Sequence, residues 1–457
     1  MKFLIYLSFF ILLSTNAENK PNLIFIIADD CSYFDTEVYG GQAKTPNLVS
    51  LASEGMKFTK CFQAAPMCSP TRHNIYTGLS PFKTGAYPNH TFAKDGTESI
   101  VQHLKPLGYR VALSGKTHIS PKTVFPFEYL SKGNNPDFEK VESFIKECST
   151  QKVPFCLFLT SNEPHSPWNK GDPSKYPPNS LKLPKTWVDT PATREAYSRY
   201  LAEITYYDSQ VGQALKLVDK YKLTDSTMFI ATTEQGSSFP FAKWTCYDAG
   251  IQTGFIVRWP GKVAKGSTTD KLIEYSDVVP TFIEAAGGTP SDNLDGKSII
   301  PLLSGKDVEH KKYIFSEMTT KGIINGSDHF GIRSVRSKNF KYIWNFTPNV
   351  KFTNAATMVK IKSGEGNVWA EWVEKAKTDK DAADKVNRYH HRPEEELYKL
   401  DSDTNEWINL AADPNYESIK AEHKKALLEW MKKTGDLGQQ TELDAHLHQG
   451  RNRKKKK

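Results

Sequence analysis

Apolar residues gather in short runs, and each run ends in a cluster of polar side chains. Leu23-Ile24-Phe25-Ile26-Ile27 is unbroken, as in a central parallel strand covered on both faces. It stops at Asp29-Asp30. Residues 109–113 predict a second strand that runs into Ser114-Gly115-Lys116-Thr117-His118, and residues 155–159 a third that reaches Asn162-Glu163-Pro164-His165. A fourth, at 228–231, ends at Thr233-Glu234-Gln235-Gly236, and residues 255–257 give a fifth. Helical stretches lie between them. Thr45 and Pro46 open one that Gly55 closes, and Ser276 caps another reaching residue 286. Residues 193–222 are amphipathic, with Leu201, Ile204, Val211, Leu215 and Val218 on the inner side. Strand, polar cluster, helix, repeated, predicts an α/β fold whose ligand site lies beyond the carboxyl ends of its strands.

The pattern changes near residue 305. Residues 313–315, 332–335 and 342–344 alternate and are short, which predicts a smaller antiparallel sheet. Residues 356–385 are charged and helical in pattern, and a last helix covers 419–432. The organisation expected is a leader at 1–17, a catalytic domain at 18–305, a smaller α+β subdomain at 306–440 and a disordered basic tail at 441–457. The leader has Lys2, an apolar run at 3–13 and small polar residues to Ala17, the form of a secretory signal peptide and too short to span a membrane. It predicts a secreted or periplasmic protein with no transmembrane anchor.

Net charge is +8, but six of those charges sit at residues 451–457, leaving +2 for the remainder. A body so nearly neutral has no general polyanion-binding surface, and no nucleic-acid or nucleotide motif is present. Six cysteines, with no CxxC pair, leave one or two disulfides open.

The candidate chemistry centres on Cys68-Ser69-Pro70-Thr71-Arg72, just before a helix closed by Gly78. Pro70 suits the first helical position and Ser69 the cap. Cys68 then sits at the positive end of the helix, with Arg72 one turn in. Adjacent Asp29 and Asp30 repel each other unless a cation lies between them. With Glu234 and Gln235 they offer only oxygen ligands, which suits Ca²⁺ better than zinc and leaves Mg²⁺ as the alternative. Arg72, Lys116 and Lys243 are the candidate clamp for an anion. His118 and His165 stand out from the other histidines by lying at strand ends, whereas His390-His391 reads as a polar loop.

The Cys68–Arg72 stretch resembles the activation motif of the sulfatase family, and the likeness runs from residue 21 to about residue 416. Gly115-Lys116-Thr117-His118, residues 123–127 and residues 238–241 are similar to the N-sulfoglucosamine sulfohydrolase branch. The resemblance implies an alkaline-phosphatase-like fold, a mixed, mostly parallel sheet between helices. It implies that a formylglycine-generating or sulfatase-maturing enzyme converts Cys68 to formylglycine, whose hydrated aldehyde attacks sulfur. It further implies His165 as general acid, His118 as the histidine that assists the formylglycine, and a sulfated glycan as substrate. In the family the ion is held by two N-terminal aspartates, which implies Asp29 and Asp30 here, by the formylglycine, which implies Cys68, and by a later Asp-Asn or Asp-His pair, where this chain has Glu234-Gln235. Two other readings stay open, a phosphoester hydrolase of the same superfamily and a sulfatase-like glycan-binding protein without turnover.

Overall fold

The computed structural model describes residues 20–359 and 367–450. The leader at 1–17 and the basic residues 451–457 lie outside it. Nine strands form the large sheet: β1 (Asn22–Ala28), β2 (Met56–Phe62), β3 (Arg110–Gly115), β4 (Glu128–Tyr129), β5 (Phe155–Thr160), β6 (Thr227–Thr233), β7 (Gln252–Arg258), β8 (Ser267–Thr269) and β9 (Ile273–Glu274). Their order is β4-β3-β5-β1-β6-β7-β2-β8, with β9 also on β2. Only β7 runs against its neighbours β6 and β2. The sheet is therefore mostly parallel, as the apolar runs predict.

β1 shows why such a run forms a central strand. Ile24, Ile26 and Ala28 face one buried cluster, and Leu23, Phe25 and Ile27 face the other. Helix Pro191–Lys220 covers the first face through Leu201, Ile204, Val211 and Val218. Helix Val278–Ala285 and the inner residues of helix Cys68–Thr77 cover the second. β2 is absent from the sequence-based expectation. Lys57, Thr59 and Lys60 interrupt its apolar pattern, and they stay half-buried at this end of the sheet. Because β7 is antiparallel to both β6 and β2, β2 points the same way as β6. Cys68 thus reaches the same edge of the sheet as the other strand ends.

A second sheet of four antiparallel strands, β10 (Ile314–Thr319), β11 (Gly331–Arg336), β12 (Phe340–Asn345) and β13 (Glu395–Lys399), follows in that order. Helix Glu417–Thr434 packs on it. The charged stretch folds as helices Val368–Lys375 and Lys380–His390, and Trp369, Trp372 and Tyr389 join the core of the large domain. Trp372 Nε1 donates to Thr193 Oγ1 at 2.8 Å. His390, expected in a loop, ends a helix and is buried, its Nδ1 2.8 Å from the Phe352 carbonyl.

The expected tail at 441–457 begins later than its composition implies. Residues 439–450 fold back as helix Gln439–Asp444 and a short turn, with Thr441, Glu442, Ala445 and Gln449 buried. Buried Arg333 holds this segment, binding Asp436 at 2.6 and 3.1 Å and Glu442 at 3.2 Å. All six cysteines are buried free thiols, so neither disulfide left open forms. Among the described residues no helix is long and apolar enough to cross a membrane.

Candidate active site

Cys68 is the first residue of its helix, two positions earlier than the proline suggests. Ser69 does not cap; its hydroxyl donates to the His118 carbonyl at 3.0 Å. Pro70 falls third in the helix, where the backbone nitrogen has no intrahelical acceptor and its missing N–H costs nothing. Gly78 closes the helix at φ 67°, a left-handed turn that favours glycine.

The strand ends converge on Cys68. Its thiol donates to Asp29 Oδ1 at 3.3 Å, and Asp30 Oδ1 is 3.9 Å away. Asp30 has φ 58°, which turns its carboxylate back toward that of Asp29 where an extended strand would splay them apart. Gln235 Nε2 donates to Asp30 at 2.6 Å, to Cys68 Sγ at 3.2 Å and to Asp29 at 3.3 Å. Lys243 Nζ reaches Asp30 Oδ2 at 2.7 Å and Cys68 Sγ at 3.4 Å, and Lys116 Nζ pairs with Asp29. Asp29, Asp30, Glu234 and Gln235 are all at most 1% exposed.

Arg72 departs from the role its position suggests. Its guanidinium lies beneath the floor, clasping Glu234 with two bonds of 2.9 and 2.8 Å and donating to the Lys116 carbonyl at 2.8 Å. Asp29 is 3.7 Å away. Lys116 and Lys243 therefore line the cleft and Arg72 does not.

Burial alone would raise the Asp29 carboxyl, but Lys116, His165 and Arg72 outweigh it and hold Asp29 well below the usual range. Glu234 goes the other way. Burial, with Asp29 beside it, raises its carboxyl well above the usual range despite Arg72. Burial and the Asp29 charge raise the Cys68 thiol too, so the encoded residue is a neutral thiol rather than a thiolate. Three buried carboxylates crowd one point, and Gln235 Oε1 is buried with no partner. Turning that amide over would aim its oxygen at the carboxylates, an arrangement only a cation makes favourable. The all-oxygen donor set fits a hard divalent ion. Asp29, Cys68 and His165 also bring potential ligand atoms within 4.8 Å of one another.

The cleft above has a volume of about 670 Å³. His165 stands in its wall, with Nδ1 2.7 Å from the Ser166 carbonyl and Nε2 3.8 Å from Asp30 Oδ2. Burial, then Lys116 and His90, push His118 well below the ordinary imidazole range, so it is neutral. Trp168, Phe239 and Trp244 form the apolar wall, joined by Ile323 and Trp369 from beyond the large sheet. Sequence reasoning missed these and His90, whose Nδ1 lies 2.9 Å from His118 Nε2. Nothing local marks His90. Its position is set by contacts with residues 321 and 448–450.

Comparison with known proteins gives the family of the chain. The family model described as Sulfatase matches residues 21–288, and that of the N-sulphoglucosamine sulphohydrolase C-terminal region matches residues 236–352. An ulvan-active sulfatase of Formosa agariphila is 37% identical over 93% of this chain and 82% of its own length. Human N-sulphoglucosamine sulphohydrolase is 24% identical over 91% of this chain and 90% of its own. Among solved structures, one bound to its substrate D-glucosamine-2-N,6-O-disulfate superposes with a TM-score of 0.68 at 17% identity, covering 92% of this chain and 99% of that one. A phosphonate monoester hydrolase from Silicibacter pomeroyi gives 0.69 at 17% identity, over 92% and 96%, so the fold itself admits more than one chemistry. With the family model spanning more than half of its length, the chain belongs to the sulfatase family, whose members are sulfuric ester hydrolases.

Proposed function

We propose that this is an exported sulfatase that removes sulfate groups from a sulfated polysaccharide, using a formylglycine made from Cys68 by a maturation enzyme. The observation that carries the reading is the place of Cys68. It heads a buried helix on the cleft floor, within 3.9 Å of Asp29, Asp30, Gln235 and Lys243. A neutral thiol there is a poor nucleophile, and conversion to a hydrated aldehyde supplies an oxygen nucleophile in its place. Asp29, Asp30, Glu234 and Gln235 would hold the divalent ion, Ca²⁺ with Mg²⁺ as the alternative. When bound, that ion acts as a Lewis acid on the sulfate oxygens.

The chain's own residues do the rest. Lys116 and Lys243, both lining the cleft beside the carboxylates around Cys68, offer their ammonium groups to the anionic sulfate. Arg72 holds Glu234 in place through two hydrogen bonds. His165 gives a proton through Nε2 to the departing oxygen or nitrogen. His118, neutral, takes a proton at the opposite end of the cycle, when sulfate is released. The likeness to an ulvan-active sulfatase over nearly the whole chain supports a polysaccharide substrate.

The test measures free sulfate from ulvan oligosaccharides, from N- and O-sulfated glucosamine saccharides and from aryl sulfate, with aryl phosphate as the competing chemistry. Peptide mass reports the state of Cys68. Sulfate release by protein carrying formylglycine, lost in Cys68→Ala, is the expected result. Active protein with an unmodified Cys68, or a preference for phosphate, overturns the reading.

A further inference from the structure

The cleft holds a third imidazole, His90, that the chemistry above does not use. His90 Nδ1 and His118 Nε2 are 2.9 Å apart, and the rings lie 4.9 Å centre to centre at 50°. The other ring nitrogen of His118, Nδ1, is buried with no partner.

Two proton placements satisfy the contact between the rings. If His90 donates, His118 Nε2 accepts and its proton sits on Nδ1, leaving a buried N–H with no acceptor. If His118 donates from Nε2, its Nδ1 is a bare lone pair. Orphaned buried N–H groups are rarer and more costly than unfilled acceptors.

We infer that His90 is a positioning residue that holds His118 in the tautomer protonated on Nε2, keeping Nδ1 free to accept the proton in the sulfate-release step. When Nδ1 takes that proton, the resulting imidazolium still donates from Nε2 to His90, so the new charge is met by a fixed acceptor. The role assigned to His118 rests on the proposed function; the tautomer itself does not.

The backbone is built to present this ring. His90 has φ 56°, in the left-handed region, and its carbonyl accepts from Gly450 N at 2.8 Å. Asn89 N donates to the Lys321 carbonyl at 3.2 Å, and Thr91 Oγ1 to that of His448 at 2.8 Å. Segments more than 200 residues away thus grip this tripeptide on both sides.

The backbone and the contact together select the test. Asparagine tolerates positive φ, and its Oδ1 occupies the branch position of the histidine Nδ1. ¹⁵N-histidine NMR on unconverted Cys68 protein reads the His118 tautomer without any turnover. Protein as encoded should show Nδ1 bare and Nε2 protonated. His90→Ala should lose that single tautomer, and His90→Asn should restore it. In converted protein, His90→Ala should lower kcat about 10–10²-fold with KM little changed, less than the ~10⁴-fold cost of losing a charged partner that enforces a tautomer. His90→Asn should recover most of it.

A proton on Nδ1 in the unaltered protein overturns the inference, as does a tautomer or kcat that His90→Ala leaves intact. So does failure of His90→Asn to restore the tautomer at unchanged thermal stability. Full turnover by His118→Ala would instead remove His118 from the proposed mechanism, and the NMR result would stand apart from it.

Discussion

If His165 protonates the leaving atom, its worth depends on how badly that atom needs a proton. Nδ1 is spent on the Ser166 carbonyl, so Nε2 is the only ring nitrogen that can serve substrate. Among the described residues of the cleft, His118 is tied to His90, Lys243 to Asp30 and Lys116 to Asp29, so none of these stands ready to replace it. His165→Ala should therefore cost a large share of the usual worth of general acid catalysis, about 10³ within the 10²–10⁴ range. At 1.36 kcal/mol per decade that is about 4 kcal/mol of barrier. A sugar alkoxide leaves badly without a proton, whereas a nitrophenolate leaves readily. On an aryl sulfate the same substitution should lose less than about tenfold. The assay compares kcat and kcat/KM on a sulfated sugar and an aryl sulfate, with both proteins brought to equal formylglycine content. His118→Ala is the control and should lose equally on both, since sulfate release is common to them. Equal losses for His165→Ala on the two substrates would refute the acid role.

Other outcomes follow from particular residues. Asp35 is buried and its carboxyl is pushed up to about 7 by burial, against the hydrogen bond from Tyr197. A raised carboxyl contributes stability below its unfolded value near 4 that is lost as pH rises through 7. Asp35→Asn should then be more stable than the unaltered protein by up to about 4 kcal/mol at pH 8 and by little at pH 4. In a chain of this length that is about 4 °C in Tm, read by thermal unfolding across pH, and a gap that does not change with pH would refute it. Lys243 competes with any cation for Asp30, so Lys243→Met should tighten Ca²⁺ binding in calorimetry while lowering kcat/KM by about 10². Weaker Ca²⁺ binding would show that the lysine supports the ion site. Exhaustive chelation should abolish turnover and lower Tm, with about 2.7 kcal/mol regained at a hundredfold excess of ion over its Kd. Recovery by Mg²⁺ rather than Ca²⁺ would reassign the ion.

What the sequence made legible was local. An apolar run followed at once by Asp-Asp, Lys-x-His, Pro-His or Glu-Gln tells both that a strand ends and what it carries. The four strand ends met as expected because a parallel sheet puts them on one edge. β2 was illegible because its lysines and threonine keep contact with solvent. Arg72 was read as facing substrate, since nothing within ten residues reveals that Glu234, 162 positions on, claims its Nε and one Nη while the Lys116 carbonyl takes the other. His90 and the folded segment at 439–450 share that obscurity. Arg333 binding Asp436 and Glu442, and Gly450 binding His90, are contacts between residues 100 to 360 apart.

All ten residues of helix Cys68–Thr77 are buried, and this has a consequence for how the protein is made. On the proposed maturation, an enzyme could not grip residues 68–72 once the helix is packed, so conversion would have to precede folding. The two events race. The segment at 439–450 that locks residues 89–91 leaves the ribosome some 380 residues after the motif. At roughly 5–20 residues per second that delay is about 20–75 s. If Cys68 is matured in this way, residues 439–450 would act as a timer, and removing them would change the fraction of molecules that mature before the cleft closes.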